Sequence, residues 1–221
     1  MKYTIKTEAP ALISIFITWI LGVYFYAQFP EKVITHWNFN GVADGYSGKT
    51  LGAFLMPIIS TFFYVLFLAL PSLDPKKENY LKFENLYHWL KNIFIIFMLL
   101  ISTVVGAVNL GINIPINLIV PSLVGLMFIA LGSIIGKIKQ NWFIGFRFPW
   151  TLTSESVWNK TNRFGGWSMI FCGGLMLLTP LLPNATGMAI FYIAILQMVF
   201  GTMIYSYLVY RKEQKSGQNK I

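Results

Sequence analysis

Long apolar stretches alternate with short polar connections along the whole chain. A helix needs about 20 residues to cross roughly 30 Å of hydrocarbon. Six stretches reach or approach this length, at about 9–27, 51–73, 90–112, 117–136, 166–182 and 188–210. The pattern predicts an all-α integral membrane protein with six transmembrane helices in one bundle.

Two uncharged runs are too long to form single helices and must fold back. The first lies between Lys91 and Lys137 and is broken by Gly and Pro at 111–115. The second lies between Arg163 and Arg211 and is broken by Pro, Asn and Gly at 180–187. Each run therefore predicts a tight helical hairpin.

The composition agrees with this architecture, at 56% hydrophobic and 11% charged residues. The net charge of +9 would suit nucleic acid, but the positions of the cations indicate membrane sidedness instead. Six spans put fifteen of the 17 Lys and Arg residues on one side, with Lys32 and Lys49 opposite. Those fifteen are Lys2, Lys6, Lys76, Lys77, Lys82, Lys91, Lys137, Lys139, Arg147, Lys160, Arg163, Arg211, Lys212, Lys215 and Lys220. For this multi-pass protein, the positive-inside rule predicts that both termini lie in the cytoplasm. Because sidedness accounts for the cations, we expect no direct nucleic-acid partner.

The spans and loops suggest two regions that form one compact unit. The first, 1–73, holds two spans and an exterior loop at 28–50. The second, 74–221, holds four spans and a cytoplasmic loop at 137–165.

The exterior loop has the sequence pattern of a small hairpin. Asn40-Gly41 and Asp44-Gly45 are strong turn pairs, and 33–38 can extend before them. His36, Asp44 and Glu31 are weak candidates for metal ligands, because a single His lacks a second His or Cys at ligand spacing. A hydrogen-bonding role for His36 and Asp44 is the favoured interpretation.

The connection at 74–91 predicts an amphipathic helix. Asp74 is a helix cap, and Phe83, Leu86, Tyr87 and Leu90 recur at helical spacing. We expect this helix to lie on the inner membrane surface, with partner binding as the alternative. In the fourth span Gly125, Gly132 and Gly136 share a face; packing inside the bundle is favoured over self-association.

The segment Trp142–Trp167 combines basic and aromatic residues between two apolar spans. It holds Arg147, Lys160 and Arg163 together with Trp142, Trp150, Trp158 and Trp167. Thr153 can cap a short helix from Ser154 to Asn162, which would place Trp158 on the membrane. Lys160 and Arg163 would then meet lipid headgroups or a partner. On composition alone, an interfacial anchor that holds the fourth and fifth spans apart is the favoured interpretation.

Catalytic candidates are few. A nucleophile needs a base nearby, yet His36 and His88 are predicted on opposite sides of the membrane. No carboxylate falls inside any predicted span, which weighs against an ion-coupled transporter. We therefore expect neither enzyme activity nor a cofactor.

Motifs in both loops resemble one family. Gly145-Phe146-Arg147-Phe148-Pro149-Trp150, followed by Trp158, Asn162, Arg163 and Gly165, resembles the signature of the SdpI family of bacterial membrane immunity proteins. The exterior residues resemble the domain of unknown function that often precedes that signature: Pro30, Thr35, His36, Trp37, Gly41, Asp44, Gly45, Tyr46 and Lys49. The chain departs from the family at Phe146 and Phe148, often Ile and Thr there, and at Asn162, often His.

The resemblance implies a location in the bacterial cytoplasmic membrane and protection against a secreted toxic peptide. His36, Trp37, Gly41, Asp44 and Lys49 would sense or neutralise the peptide from outside. Gly145, Arg147, Pro149, Trp150, Trp158, Asn162, Arg163 and Gly165 would brace the bundle or capture a small winged-helix repressor for signal transduction. The alternative function is a small-solute channel or transporter lined by Asn109, Asn113, Asn117 and Gln197.

Overall fold

The computed structural model describes residues 1–218, and six of its helical segments are long and apolar enough to cross a membrane. Five spans are α1 Ile5–Gln28, α2 Lys49–Leu73, α3 Glu84–Asn109, α4 Ile116–Ile135 and α6 Glu155–Leu178. The sixth joins α7 Asn184–Leu196 and α8 Thr202–Gln218 through a π-helical turn, Gln197–Gly201. The predicted all-α membrane bundle is confirmed. Lys220, counted among the cations, lies outside the described residues.

Both described ends of the chain lie at the same end of the bundle. The backbone N–H of Lys2 donates to Glu84 at the start of α3. Near the other terminus, Glu213 on α8 accepts a hydrogen bond of 2.6 Å from Ser156 at the start of α6. We call this the basic end, and we call the opposite end, which carries residues 29–48, the hairpin end.

The first span starts one turn earlier than predicted. Thr4 caps α1 by accepting a hydrogen bond of 3.3 Å from the backbone N–H of Thr7. The helix therefore includes Glu8, which is buried. The expectation that no carboxylate falls inside a span was wrong, because it placed the start of the helix at the first apolar residues and ignored the cap.

The connection after α2 packs its predicted apolar face against the protein's own core, not against lipid. It forms a 3-10 helix, Lys77–Phe83, that leads into α3. The apolar face was predicted correctly, but Phe83, Tyr87 and Leu90 are buried in the protein's own core with Ile138 and Trp158. The partner-binding alternative fails for the same reason, since the face is already covered.

Glycines let α4 and α6 cross closely. A Cβ at Gly132 would lie 2.6 Å from the carbonyl oxygen of Gly166, and one at Gly125 would lie 2.7 Å from that of Gly173. Near the basic end, a Cβ at Gly136 would lie 3.1 Å from Cα of Arg163. The three glycines of the fourth span therefore serve packing inside the bundle, as favoured from the sequence.

The hairpin end carries the predicted two-stranded hairpin. Strand β1, Lys32–Trp37, pairs antiparallel with β2, Ala43–Gly48. Asn38 donates its backbone N–H to the Val42 carbonyl over 2.9 Å, and Gly41 has φ +77° in the turn between the strands. The side chain of Asn109 at the end of α3 holds β1: it donates to the Ile34 carbonyl over 2.9 Å and accepts the Ile34 N–H over 2.8 Å.

Candidate functional site

The loop between α4 and α6 folds around Gly145 and Asn162. Gly145 has φ +121°, a conformation that L side chains rarely adopt. A Cβ there would lie 2.5 Å from Asn162 Oδ1, and this oxygen accepts the Phe146 backbone N–H over 2.8 Å. Asn162 is fully buried on α6. The two residues therefore fix the path of the loop against the helix.

Trp158 lies inside the protein, not on the membrane as predicted. It is fully buried, and its indole N–H donates to the Ile138 carbonyl over 2.9 Å. A Cβ at Gly165 would collide with the ring of Phe146, which packs there. The membrane prediction failed because residues of α3 and of the 3-10 helix cover Trp158. The expected Ser154–Asn162 helix is the first part of the longer α6. Ser154, not Thr153, is its cap, and α6 continues as the fifth span.

Pro149 and Trp150 join the loop to α8. Pro149 begins the short helix α5, Pro149–Thr153, in which the Phe148 N–H donates to Thr151 Oγ1 over 2.8 Å. The Trp150 indole N–H donates to Ser206 Oγ over 2.7 Å, and Ser206 also lies 2.8 Å from Thr161 Oγ1. The signature tryptophan thus links the loop to α6 and α8 through one buried serine.

Asp74 adds a brace that sequence reasoning did not find. It is buried, and its Oδ2 accepts the Trp142 backbone N–H over 2.8 Å and the Tyr80 hydroxyl over 2.9 Å. Asn141 holds the following turn by accepting the N–H of Ile144 over 2.7 Å. No local pattern indicates that Asp74 has a partner 68 residues away.

Two signature cations remain at the surface. Arg147 is exposed and donates to the Trp142 carbonyl over 2.5 Å. Arg163 lines a groove of about 550 Å³ with Lys137 and Trp167. Lys160, in contrast, pairs with Glu213 over 2.8 Å, so its ammonium group contacts the protein's own carboxylate.

At the hairpin end, the predicted exterior residues line a second groove. His36 Nδ1 lies 2.5 Å from Asp44 Oδ1, as expected for a hydrogen-bonded pair. The groove has a volume of about 520 Å³. It is lined by His36, Trp37, Asn38, Phe39, Asp44, Ile116, Asn117, Val120, Pro121, Val124, Phe191 and Tyr192. Its walls are therefore mainly apolar, with an exposed polar pair on the hairpin.

The other two exterior residues support the hairpin. Gly41 lies beside Asn117, which a Cβ would approach to 3.5 Å. The Lys49 ammonium lies 5.4 Å from the centre of the Tyr26 ring, and so contacts α1. Between residues 1 and 218, no group of three or more His, Cys, Asp or Glu side chains is placed to hold a metal ion.

A buried charged cluster at the basic end was also missed. Lys91 is fully buried and its ammonium contacts Glu8 Oε2. The Tyr64 hydroxyl donates to the same oxygen over 2.8 Å, and His88 Nδ1 lies 3.3 Å from Glu8 Oε1. Tyr3 covers the cluster and packs edge-on against the His88 ring. Burial and the carboxylates of Glu8 and Glu84 raise the pKa of the Tyr3 phenol. The two charges are 83 residues apart, so the sequence gives no sign of the pair.

Two regions of the chain match known families. One contains the loop between α4 and α6, which we call the braced loop, and the other contains the hairpin. Residues 137–207 match the SdpI/YfhL protein family, and residues 13–61 match a domain of unknown function, DUF1648. The SdpI/YfhL match is confined to residues 137–207. All eight signature residues lie in that region, and the five exterior residues lie in the DUF1648 region.

A similarity to one named immunity protein extends over both regions. The chain is 27% identical over 207 residues to the immunity protein SdpI of Bacillus subtilis (strain 168), covering 94% of this chain and 97% of that protein. No solved structure matches the chain.

Proposed function

We propose that this chain is a non-enzymatic membrane immunity protein that protects the bacterium producing it from a secreted toxic peptide. The observation that carries the proposal is the similarity to the immunity protein SdpI over 94% of the chain. The similarity includes both the hairpin and the braced loop. The regions 1–73 and 74–221 would act as one unit, because α1 packs against both α2 and α3.

The charge distribution supports an orientation with the basic end in the cytoplasm. Lys32 and Lys49 are the cations of the hairpin end, and the other fifteen lie in segments assigned to the opposite side. The hairpin end then faces outward. A secreted peptide would reach the hairpin groove first.

The hairpin groove supports direct contact with a peptide. Its apolar lining can take an apolar side chain, while the exposed His36 and Asp44 can orient a polar group of the peptide. Trp37 contributes aromatic surface, which is frequent at binding hot spots. Gly41 and Lys49 would act indirectly, by holding the hairpin in place.

The signature at the basic end divides into two proposed roles. Gly145, Trp158, Asn162 and Gly165 would brace the bundle, because they are packed inside it. Pro149 and Trp150 would extend the brace to α8. Arg147 and Arg163 are exposed and would capture a small winged-helix repressor, so that occupancy of the outer groove is signalled to transcription.

A protection assay tests the outer role. We expect expression in a sensitive strain to preserve membrane potential when toxic peptides are added, measured with a potential-sensitive dye. Trp37→Ala and His36→Ala should reduce protection at unchanged protein level, whereas Glu31→Gln, an exposed change outside the groove, should not. If the sensitive strain that expresses the wild-type protein is still killed by every peptide of a panel, the immunity proposal is wrong.

A localisation assay tests the inner role. Where a small winged-helix repressor gene lies beside this one, its fluorescent fusion should move to the membrane on peptide addition. Arg147→Ala with Arg163→Ala should abolish this movement while protection and protein level persist. If the double variant lowers only protein level, these arginines belong to the brace and the capture proposal is wrong.

A further inference from the structure

A groove at the basic end lies beside the buried charged cluster, on the outer surface of α1 and α3. It has a volume of about 290 Å³. Its lining is Lys6, Thr7, Pro10, Asn85, His88, Trp89, Asn92, Ile93 and Ile96. Polar residues lie toward the basic end, and Pro10, Ile93 and Ile96 lie deeper along the two helices. The groove is therefore polar at its mouth and apolar toward the bundle's middle.

Two buried side chains of the groove have unused hydrogen-bonding atoms. His88 is 4% exposed and Asn92 is 7% exposed. His88 Nε2 and Asn92 Oδ1 have no hydrogen-bond partner among the described residues. His88 Nδ1 lies 3.3 Å from Glu8 Oε1 without hydrogen-bond geometry. Asn92 Nδ2 is used, because it donates to the Thr7 carbonyl over 3.2 Å. Buried polar atoms in proteins are nearly always paired, so these atoms indicate a missing partner.

The free charge at this groove is positive. The Glu8 carboxylate beside it contacts Lys91 and Tyr64 through Oε2, and its Oε1 lies 3.3 Å from His88 Nδ1. Lys6, at the mouth, makes no ion pair within residues 1–218. An anionic group can approach Lys6 without displacing an existing pair. A cation would meet an uncompensated ammonium.

The surroundings match a lipid rather than a small soluble anion. Trp89 is 63% exposed at the mouth, and Ile96 is 38% exposed at the deep end. Tryptophan concentrates at membrane interfaces, and exposed aliphatic residues below it face acyl chains. A soluble anion would use the polar mouth and leave the apolar floor unoccupied.

We propose that this groove binds an anionic phospholipid with a hydroxyl-bearing headgroup, the chemistry of phosphatidylglycerol. The phosphodiester contacts the Lys6 ammonium and accepts the ring N–H of His88. Asn92 Oδ1 accepts a hydrogen bond from a headgroup hydroxyl. One acyl chain lies along Pro10, Ile93 and Ile96.

Lipid retention by the purified full chain tests the headgroup contacts. Native mass spectrometry with added phosphatidylglycerol should show more bound lipid than with phosphatidylcholine, which lacks the hydroxyls and is zwitterionic. One interfacial cation contributes about a fivefold difference in lipid affinity. Lys6→Gln should therefore weaken phosphatidylglycerol binding about fivefold. Lys139→Gln, which removes a basic-end cation outside this groove, should leave binding unchanged.

A second pair of variants tests the acyl chain contact. Ile96→Phe fills the deep end and should reduce bound lipid, whereas Leu100→Phe, a similarly exposed position one turn further along α3, should not. Inorganic phosphate should not compete. Equal binding in Lys6→Gln and the wild type would overturn the proposal. Competition by inorganic phosphate would also overturn it, by assigning the site to a soluble anion.

Discussion

At the scale of single residues, Asn162 determines the conformation of the loop that contains Gly145. Its buried side-chain oxygen takes the place of a backbone partner for Phe146, and its amide donates to the Trp158 carbonyl over 3.1 Å. A side chain at this position must therefore offer both an acceptor and a donor. The family often has His at this position, so the hydrogen bond to the loop, not the amide itself, would be the shared feature.

Replacing Asn162 should destabilise the protein much more than replacing its exposed neighbour. Asn162→Ala leaves the Phe146 N–H buried without a partner, which costs about 1–3 kcal/mol. Asn159→Ala, on the exposed side of the same helix, should change the free energy of unfolding by less than about 0.5 kcal/mol. Denaturant unfolding in detergent measures both. Equal losses would show that the hydrogen bond to the loop contributes nothing.

The Glu8–Lys91 pair should tolerate loss of both charges better than loss of one. Lys91→Met leaves Glu8 as a buried, uncompensated carboxylate, which costs about 3–5 kcal/mol. Adding Glu8→Gln should recover much of this loss, because the remaining groups are neutral. The pair of exposed Lys160 and half-buried Glu213 is the control, where removal should cost at most about 1 kcal/mol.

A double-mutant cycle on unfolding free energies measures this coupling. Additive losses from Glu8→Gln and Lys91→Met would contradict the pair's role. They would indicate instead that each side chain is stabilised by separate neighbours, with Tyr64 the principal one for Glu8.

At the scale of elements, the crossing of α4 and α6 depends on backbone contact. Gly132→Ala places a Cβ 2.6 Å from the Gly166 carbonyl, so the helices must separate. Overpacking of this kind costs about 1–3 kcal/mol. Gly174→Ala on α6 is the control, since a Cβ there meets nothing within 4 Å.

Thermal unfolding of the two alanine variants should separate them clearly. The melting temperature should fall for Gly132→Ala and stay level or rise for Gly174→Ala, because Ala is the better helix former. If both variants melt alike, the crossing has room that the glycine contacts do not indicate.

Elements with local signals were predictable from the sequence, and their boundaries less so. The six spans were predicted from apolar length and the hairpin from two turn pairs. The structure confirms both. The start of α1 at Ile5 and the continuous α6 from Glu155 depend on the caps Thr4 and Ser154. A cap competes with neighbouring candidates, and Thr153 is equally suitable by residue type.

The surroundings of the site residues were the least predictable part. The sequence identified Trp158 and Arg147 as one aromatic and basic group, but Trp158 is buried and Arg147 is exposed. Which of them is covered depends on α3 and on the 3-10 helix, elements that are distant along the chain. Periodicity describes a single helix face and carries no information on what packs against it.

At the scale of the whole molecule, the orientation can be tested directly. In a Cys172→Ala background, Val42→Cys lies in the exposed hairpin turn and Ser216→Cys lies exposed near the end of α8. A membrane-impermeant maleimide should label Val42→Cys in intact cells. It should label Ser216→Cys only after the membrane is permeabilised. Labelling of Ser216→Cys in intact cells would reverse the proposed orientation.

The two hydrogen bonds between the Asn109 side chain and the Ile34 backbone also limit which β-strands can pair with the hairpin. An exposed strand edge invites another chain to add a strand, which leads to binding or to aggregation. On β1 the N–H and C=O of Ile34 are already taken by the amide of Asn109. A peptide that binds by strand addition therefore cannot pair with β1 at Ile34 while Asn109 holds it, and the same applies to the hairpin of a second copy.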